Sequence, residues 1–374
     1  MTAVSCMRVL YFLDTLNRGG AERQAVDVCK NAAAYGIDVT VVAGPGDLLD
    51  ELRGSGTEVF EMNRRLPIDP FISAAIRKII REKAIQVVHG YQAVEGVHLH
   101  LATLGMPAVK RVLSFQGFIP DAKNRRSLRF LIPRMDANLY VSRGLQNWLA
   151  DVDGLNTQLN ARLLYNGADP ARLEPTGRSV RSELGIGPKT KVFGMIANFY
   201  RDPRKDQATL ARALPAVFAS LPESVCLFAG KTEEGAEEKL ELCRSICSEA
   251  GILDRVFFLG GRSDVPDILR ELDVFVFSSL QEGLPVALTE AMLAGVPCVV
   301  SDIGPHLEAT DDGRVALAFR TGDAADLAEQ LSKILGDERI QEELASNAAH
   351  FATANFSIHA HMTHLRAIYS DLLN

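Results

Sequence analysis

The chain has 374 residues, 47% of them hydrophobic, and a formal net charge of −7, which is long for one domain and comfortable for two. No run reaches the roughly eighteen apolar residues of a membrane span, the six cysteines lack the spacing of a disulfide scaffold, and no zinc-finger or RNA-binding signature accompanies the basic residues. Integral membrane, small disulfide-rich and nucleic-acid-binding classes are therefore set aside.

Charge is unevenly spread. Residues 1–175 hold 21 Lys and Arg against 18 Asp and Glu, leaving −10 for the remainder. The basic residues cluster at Arg77, Lys78, Arg81 and Lys83, and again at Lys123, Arg125, Arg126, Arg129 and Arg134, with Phe71, Ile72, Ile76, Leu128 and Phe130 between them. Such a pattern suits an anionic membrane surface or a solvated helix face, and these stay as two open readings. Met7 to Leu13 is broken by Asp14 too early for a signal peptide. The cysteines mostly fall in apolar runs and are expected to be buried thiols, which places the protein in the cytoplasm, with peripheral association at the inner face of the membrane as the candidate location.

In chain order, Arg8 to Leu13 reads as a strand, Gly19-Gly20 as a turn, Ala21 to Tyr35 as a helix closed by Gly36, and Asp38 to Ala43 as the next strand. That is a βαβ unit. Gln86 to His89, Val109 to Phe115, Asn138 to Val141 and Ala161 to Tyr165 add strands, each followed by a Gly-rich or polar loop. The polar, Gly- and Pro-marked stretch from Pro175 to Lys191 reads as a linker. Strands then resume at Lys191 to Ala197, Ser224 to Ala229, Arg255 to Leu259, Asp273 to Phe277 and Pro297 to Ser301. Two parallel, doubly wound α/β domains result, 1–175 and 176–355, with ligands expected at the carboxyl ends of their strands. Asp151-Val-Asp153 is expected to be a surface turn rather than a metal motif.

Glu282 and Glu290 stand eight residues apart, between the apolar run Asp273 to Phe277 and a helix-like segment. Pro285 suits a first helical turn, so Glu282 lies in a strand-to-helix loop and Glu290 about five residues into the helix. Gly283 permits close approach of a ligand, and the N–H groups around Leu284 and Val286 suit phosphate.

These residues, with Gly295-Val-Pro and Asp302-Ile-Gly downstream, resemble the donor-site signature of retaining glycosyltransferases of family 4. Gly19-Gly20-Ala21-Glu22-Arg23, Tyr165-Asn166-Gly167-Ala168-Asp169 and Lys205 extend the resemblance through most of the chain. It implies the GT-B architecture, two Rossmann-like doubly wound domains facing across a cleft. It also implies a last helix, about 356–374, packed back on the first, acceptor-side domain, and a donor-binding second domain. The donor would be a nucleotide-diphosphate sugar, UDP-sugar favoured with GDP-sugar as the alternative, and the acceptor a glycan or lipid-linked hydroxyl of a bacterial-type surface polysaccharide.

The resemblance gives Glu282 to the sugar hydroxyls, Glu290 to the ribose, Lys205, Gly19, Gly20 and the backbone of Gly283 to Val286 to the phosphates, and the Gly261-Arg262 loop to the base. No metal and no cofactor are expected, because Lys205 and helix N-termini can neutralise a leaving diphosphate. Retention would follow from front-face substitution, with the enzyme mainly positioning its substrates. Two departures stand out. Asn198 occupies the place of a phosphate-binding Arg, with Arg201 and Arg204 available nearby, and Gln116 occupies that of a His. Gln116 can position but cannot titrate. His89, at the end of the preceding strand, is a candidate for the acceptor side or for the core. A nonhydrolysing sugar-nucleotide epimerase and a noncatalytic nucleotide-sugar binder are the competing functions.

Overall fold

A computed structural model of the protein describes residues 6–17, 19–119 and 121–374. Chain contacts divide it into two compact units, Met1–Ala168 with Ser357–Asn374, and Asp169–Phe356.

The first unit is a seven-stranded sheet, β1 (Met7–Leu13), β2 (Ile37–Ala43), β3 (Glu58–Glu61), β4 (Val87–Gly90), β5 (Lys110–Phe115), β6 (Ala137–Tyr140) and β7 (Ala161–Leu163), in the spatial order 3-2-1-4-5-6-7. The second is a six-stranded sheet, β8 (Lys191–Ile196), β9 (Ser224–Ala229), β10 (Val256–Gly260), β11 (Val274–Phe277), β12 (Cys298–Ser301) and β13 (Leu317–Phe319), in the order 10-9-8-11-12-13. Every strand pair is parallel. Both units are therefore Rossmann-like. Each reverses its winding once, between β1 and β4 and between β8 and β11, which is where such sheets open a crevice for ligands.

The strands are almost wholly apolar because both faces are covered, as in β11, where all four residues are buried. Two strands escaped sequence reading: β3 begins and ends with exposed Glu58 and Glu61, and β13 has three residues. Edge strands this short carry too little apolar pattern to register.

The helix Ile358–Leu373 returns to the first unit and places Ile358, Met362, Leu365 and Tyr369 in the core under β1 and β2. Burial of each such side chain contributes about 1.5–3 kcal/mol. Gly167 makes the approach possible, since a Cβ there would lie 2.6 Å from the His361 Cβ and 2.8 Å from the Ser357 carbonyl. His361 Nδ1 bonds the carbonyl of Tyr165 at 2.6 Å.

Three expectations are corrected or refined. The stretch 175–191 is not a free linker: Thr176, Gly177 and Arg178 all donate to the buried Asp267, at 2.7, 2.9 and 3.1 Å, so the stretch belongs to the second unit. Asp151-Val-Asp153 does turn at the surface, with Asp151 and Val152 exposed, but the Asp153 side chain points inward, where it is buried and takes Arg125 at 3.2 Å. Five cysteines are buried but Cys6 is exposed. No helix among the described residues is long and apolar enough to cross a membrane.

Candidate active site

In the second unit the reversal point gathers the loops after β8 and β11. Residues 204–206 run alongside 278–280: Asp206 N–H donates to the Ser278 carbonyl at 3.1 Å and Leu280 N–H to the Arg204 carbonyl at 2.9 Å. This fixes Lys205 opposite Ser279 by backbone alone. The Lys205 ammonium then meets the Glu282 carboxylate and lies 4.2 Å from the centroid of Phe277. Both side chains are nearly buried, 12% and 10% exposed. Burial lowers the Lys205 pKa while Glu282 opposes the shift; the partner's charge and hydrogen bond keep the cation tenable in a site where an isolated ammonium would not be.

Glu282 Oε1 also accepts from the Ser279 hydroxyl at 2.8 Å. Both contacts of this carboxylate fall on Oε1. Oε2 has no hydrogen-bond partner among the described residues and stands as an open acceptor.

Gly283, Leu284 and Pro285 lead into the helix Val286–Leu293, with Pro285 at the N-cap rather than inside the first turn and no side chain capping the helix. A helix start without a side-chain cap concentrates donor N–H groups and partial positive charge. Leu284 is buried, anchoring the loop. Glu290 is the fifth residue of the helix, and its carboxylate meets Arg172 of the turn Pro170–Leu173 at 3.2 Å.

The three residues proposed for the missing phosphate arginine separate cleanly. Asn198 is spent on structure, its Oδ1 taking the N–H of Lys231 at 2.8 Å and its Nδ2 reaching the Tyr200 hydroxyl at 3.4 Å. Arg204 pairs with Asp202 at 2.6 Å and stacks over Tyr200. Arg201 is exposed; its backbone N–H is held by Glu233 at 2.8 Å, and no carboxylate partners its guanidinium among the described residues.

The loop Gly261-Arg262 is expected to meet the base mainly through its main chain, and the Arg262 side chain is committed elsewhere. It is clamped between Glu183, at 2.7 and 2.8 Å, and Asp264, at 2.8 and 2.7 Å. Those paired bonds raise its own pKa and hold both carboxyls below the ordinary range. Gly261 beside it packs against Lys231: a Cβ there would fall 2.3 Å from Cγ of Lys231.

In the first unit, a cavity of about 400 Å³ opens at the reversal point, lined among others by Gly20, Glu22, Tyr91, Gln92, Gln116 and Phe118. Gly19 is the extended N-cap of the helix Gly20–Asn31. Its Cβ would lie 2.3 Å from a Glu22 carboxylate oxygen, whereas one on Gly20 would meet nothing within 4 Å. Gln116 is on the cavity wall, oriented by Asn166, whose Nδ2 donates to its Oε1 at 2.8 Å. The Gln116 amide nitrogen is thereby the group left to meet a ligand.

His89 does not line the cavity. It is 1% exposed, Nδ1 lying 2.6 Å from the Tyr369 hydroxyl and 3.1 Å from that of Tyr11, and Nε2 2.7 Å from Ser114. Burial pushes its pKa down to about 3, so it is a neutral core residue joining the last helix to β1, β4 and β5.

The residues that sequence reasoning missed are Asn166, Arg172, Lys231, Ser279, Ser301 and His306. Asn166 was visible as part of a motif and Ser279 stands three residues from Glu282; Arg172, Lys231 and Ser301 depend on partners distant in sequence, and His306 acts through Ser301. Among the described residues no group of three or more His, Cys, Asp or Glu side chains is placed to hold a metal ion.

The chain matches the family described as "Glycosyltransferase Family 4" over residues 18–172 and that described as "Glycosyl transferases group 1" over residues 190–337. It is 22% identical over 313 residues to the Escherichia coli UDP-Gal:alpha-D-GlcNAc-diphosphoundecaprenol alpha-1,3-galactosyltransferase, covering 80% of this chain and 79% of that one. To the lipopolysaccharide core biosynthesis mannosyltransferase LpsB of Rhizobium meliloti it is 26% identical over 250 residues, covering 66% and 68%. Its fold superposes on Anabaena Alr3699/HepE in complex with UDP with a TM-score of 0.84 at 20% identity, over 98% of this chain and 100% of that one.

Proposed function

Because this chain belongs to glycosyltransferase family 4 and has the GT-B fold, we propose that it moves a hexose-type sugar, with retention and without a metal, from a nucleotide-diphosphate sugar to a hydroxyl of a lipid-linked glycan in bacterial surface polysaccharide assembly. The observation that carries the reading is Glu282, held through Oε1 by Lys205 and Ser279 with Oε2 open beside a helix start that no side chain caps. An ionised carboxylate so held is a hydroxyl acceptor of fixed aim.

Each group then has a task. Oε2 of Glu282 takes sugar hydroxyls and Glu290, steadied by Arg172, takes the ribose. The N–H groups at the start of Val286–Leu293, Lys205 and the unpaired Arg201 stabilise charge building on the leaving diphosphate. Gln116, on the cavity of the first unit, donates its amide to the acceptor. It cannot relay a proton, so a donor phosphate oxygen accepts the proton of the incoming hydroxyl as the new glycosidic bond forms on the face the diphosphate leaves. A UDP-sugar is the favoured donor, a choice supported by the UDP held by the Anabaena neighbour and the UDP-Gal named for the Escherichia coli relative.

The acceptor side of this reading includes an anionic bilayer. Leu66, Ile68 and Phe71 project from the first unit at 51%, 53% and 81% exposure, and Phe71, Ala74, Lys78 and Arg81 line one exposed stripe of the helix Pro70–Glu82. Part of the basic clusters is already committed: Arg77 to the carbonyls of Ala102 and Leu104, Lys83 to Glu58, and Arg125 and Arg129 to Asp153. Apolar wedges beside the remaining cations suit an interfacial contact.

The test is incubation with a panel of nucleotide sugars, with and without EDTA and a lipid-linked glycan acceptor. Nucleotide release that needs the acceptor and survives EDTA, giving a product of unchanged anomeric configuration by NMR, is the expected result. Sugar interconversion without release would replace transfer with epimerisation, and binding with neither would reduce the protein to a sensor. Co-sedimentation with phosphatidylglycerol vesicles tests the bilayer, and an Ile68→Asp, Phe71→Asp variant that still sediments normally would remove it.

A further inference from the structure

Glu282 depends on groups that the donor-site reading does not use. The Ser279 that holds its Oε1 is laced to Ser301 at the end of β12: Ser279 N–H donates to Ser301 Oγ at 3.1 Å, and that hydroxyl donates to the Ser279 carbonyl at 2.8 Å. Against Ser301 lies His306, in the helix Gly304–Ala309, its Nδ1 3.1 Å from both Oγ and the carbonyl oxygen of Ser301. All three residues are fully buried.

Counting protons decides the ring's tautomer. The Ser301 hydroxyl has one proton, spent on the Ser279 carbonyl, and the Ser301 carbonyl has none. Both oxygens facing Nδ1 therefore need a proton from the imidazole. Burial pushes the ring's pKa down to about 3, with the Lys205 charge adding to the effect, so the neutral ring carries its single proton on Nδ1. Nε2 is bare and has no hydrogen-bond partner among the described residues. The ring also packs 5.3 Å from Phe277, the same ring that meets the Lys205 ammonium on its face. One imidazole thus backs both members of the Lys205–Glu282 pair, the carboxylate through hydrogen bonds and the ammonium through an aromatic ring.

We propose that His306 is a positioning residue for sugar transfer: as its Nδ1–H tautomer it locks Ser301 and Ser279 so that Glu282 is presented to the donor in one orientation. This rests on the reading of Glu282 as a donor ligand and adds a residue that touches no substrate. A supporting shell of this kind matters because small displacements of a ligand-holding group cost much of its effect.

Two arms test it. In wild-type protein labelled with ¹⁵N-histidine, the resonances absent from His306→Asn should show a protonated Nδ1 and an unprotonated Nε2, unchanged across the neutral pH range; a proton on Nε2 would overturn the proposal. In kinetics, His306→Asn places an amide N–H near the position of Nδ1, His306→Gln places one near Nε2, and His306→Leu supplies neither. Donor kcat/KM should stay within about threefold of wild type for Asn and fall by about tenfold or more for Gln and Leu, with donor KM raised. Equal effects of Asn and Gln, or a wild-type donor KM in the Leu variant, would sink the idea, since a purely structural role shifts the melting temperature without splitting the two amides. If Leu does not fold, the Asn–Gln split and the wild-type spectrum still decide. A wild-type protein that transfers no sugar would overturn the proposed function while leaving the tautomer measurement standing as its own test.

Discussion

The loop after β10, and the loop after β11 where it meets the one after β8, each set a cation against carboxylate, and they differ in what is left over. Arg262 commits Nε, Nη1 and Nη2 to four bonds with Glu183 and Asp264. Lys205 and Glu282 meet through one carboxylate oxygen, and the other stays open. A bidentate guanidinium matched on both sides is a clamp, because a ligand would have to displace strong, oriented bonds to reach it. A point-charge ammonium beside a half-used carboxylate can take a ligand, because a ligand adds bonds without breaking any. Under the proposed function, what separates the two in this unit is residual hydrogen-bonding capacity, not the presence of charge.

The sharpest break of that contrast is at the open pair. Glu282→Ala and Lys205→Ala should each lower kcat/KM by about a hundredfold or more while leaving the circular dichroism spectrum intact, the scale seen when one preorganised charge-stabilising group is removed. Near-normal turnover in either variant would show that the open oxygen is not a ligand site. Glu282→Gln keeps the shape and removes the charge, so it should sit close to the alanine variant if the Lys205 contact matters as a charged pair.

Arg262→Ala should do the reverse. It strands Asp264, 5% exposed at its side chain, and a buried carboxylate without its partner costs about 1–3 kcal/mol. Thermal or urea unfolding should register that loss, while donor kcat/KM moves little. A variant of normal stability and weakened donor affinity would turn the clamp back into a ligand.

Those two loops also show how much a sequence reveals. The apolar run of β11, the proline and the spacing of Glu282 and Glu290 are local, and local patterns can be read; so can Gly36 closing a helix with φ of 68°. The clamp on Arg262 takes one carboxylate from Asp264, two residues on, but the other from Glu183, seventy-nine positions away, and that second half cannot be read locally. His89 stays open between ligand and core in sequence for the same reason, and the fold decides for the core because Tyr11 from β1 and Tyr369 from the last helix reach it. Ser279, Ser301 and His306 are ordinary residues until β11 and β12 pair and bring their ends together.

Glu95 extends the contrast to the first unit. Its Oε1 takes the N–H of Asp14 at 3.0 Å, but Oε2 is buried without a hydrogen-bond partner, so spare capacity is sealed from any ligand and acts on stability instead. Burial foremost, with the charges of Asp14 and Glu22, pushes its pKa from the ordinary 4.5 to about 8. Below the ordinary value the carboxyl is protonated in both folded and unfolded chains and costs nothing. As pH rises toward 8 the unfolded chain ionises freely and the folded one does not, so native stability declines. Glu95→Gln keeps the Asp14 contact and removes the proton, and should flatten that decline, ending more than about 1 kcal/mol above wild type at the alkaline end of the window. Parallel stability–pH curves for the two proteins would show the carboxyl to be solvated.

The smallest effect separates two arginines three residues apart. Arg204 is neutralised by Asp202 and stacked on Tyr200, whereas no carboxylate meets the guanidinium of Arg201. If residual capacity decides, Arg201→Ala raises donor KM by about fivefold, roughly 1 kcal/mol as for a single exposed charge contact, and Arg204→Ala changes it less. The effect should shrink with added salt, since an exposed cation acting on a diphosphate is screened. A larger effect from Arg204 would mean that a ligand can outcompete an aspartate for a guanidinium in this loop. The distinction between clamp and site would then have to be drawn from exposure rather than from bonds already made: Arg204 is 44% exposed, Arg262 only 19%.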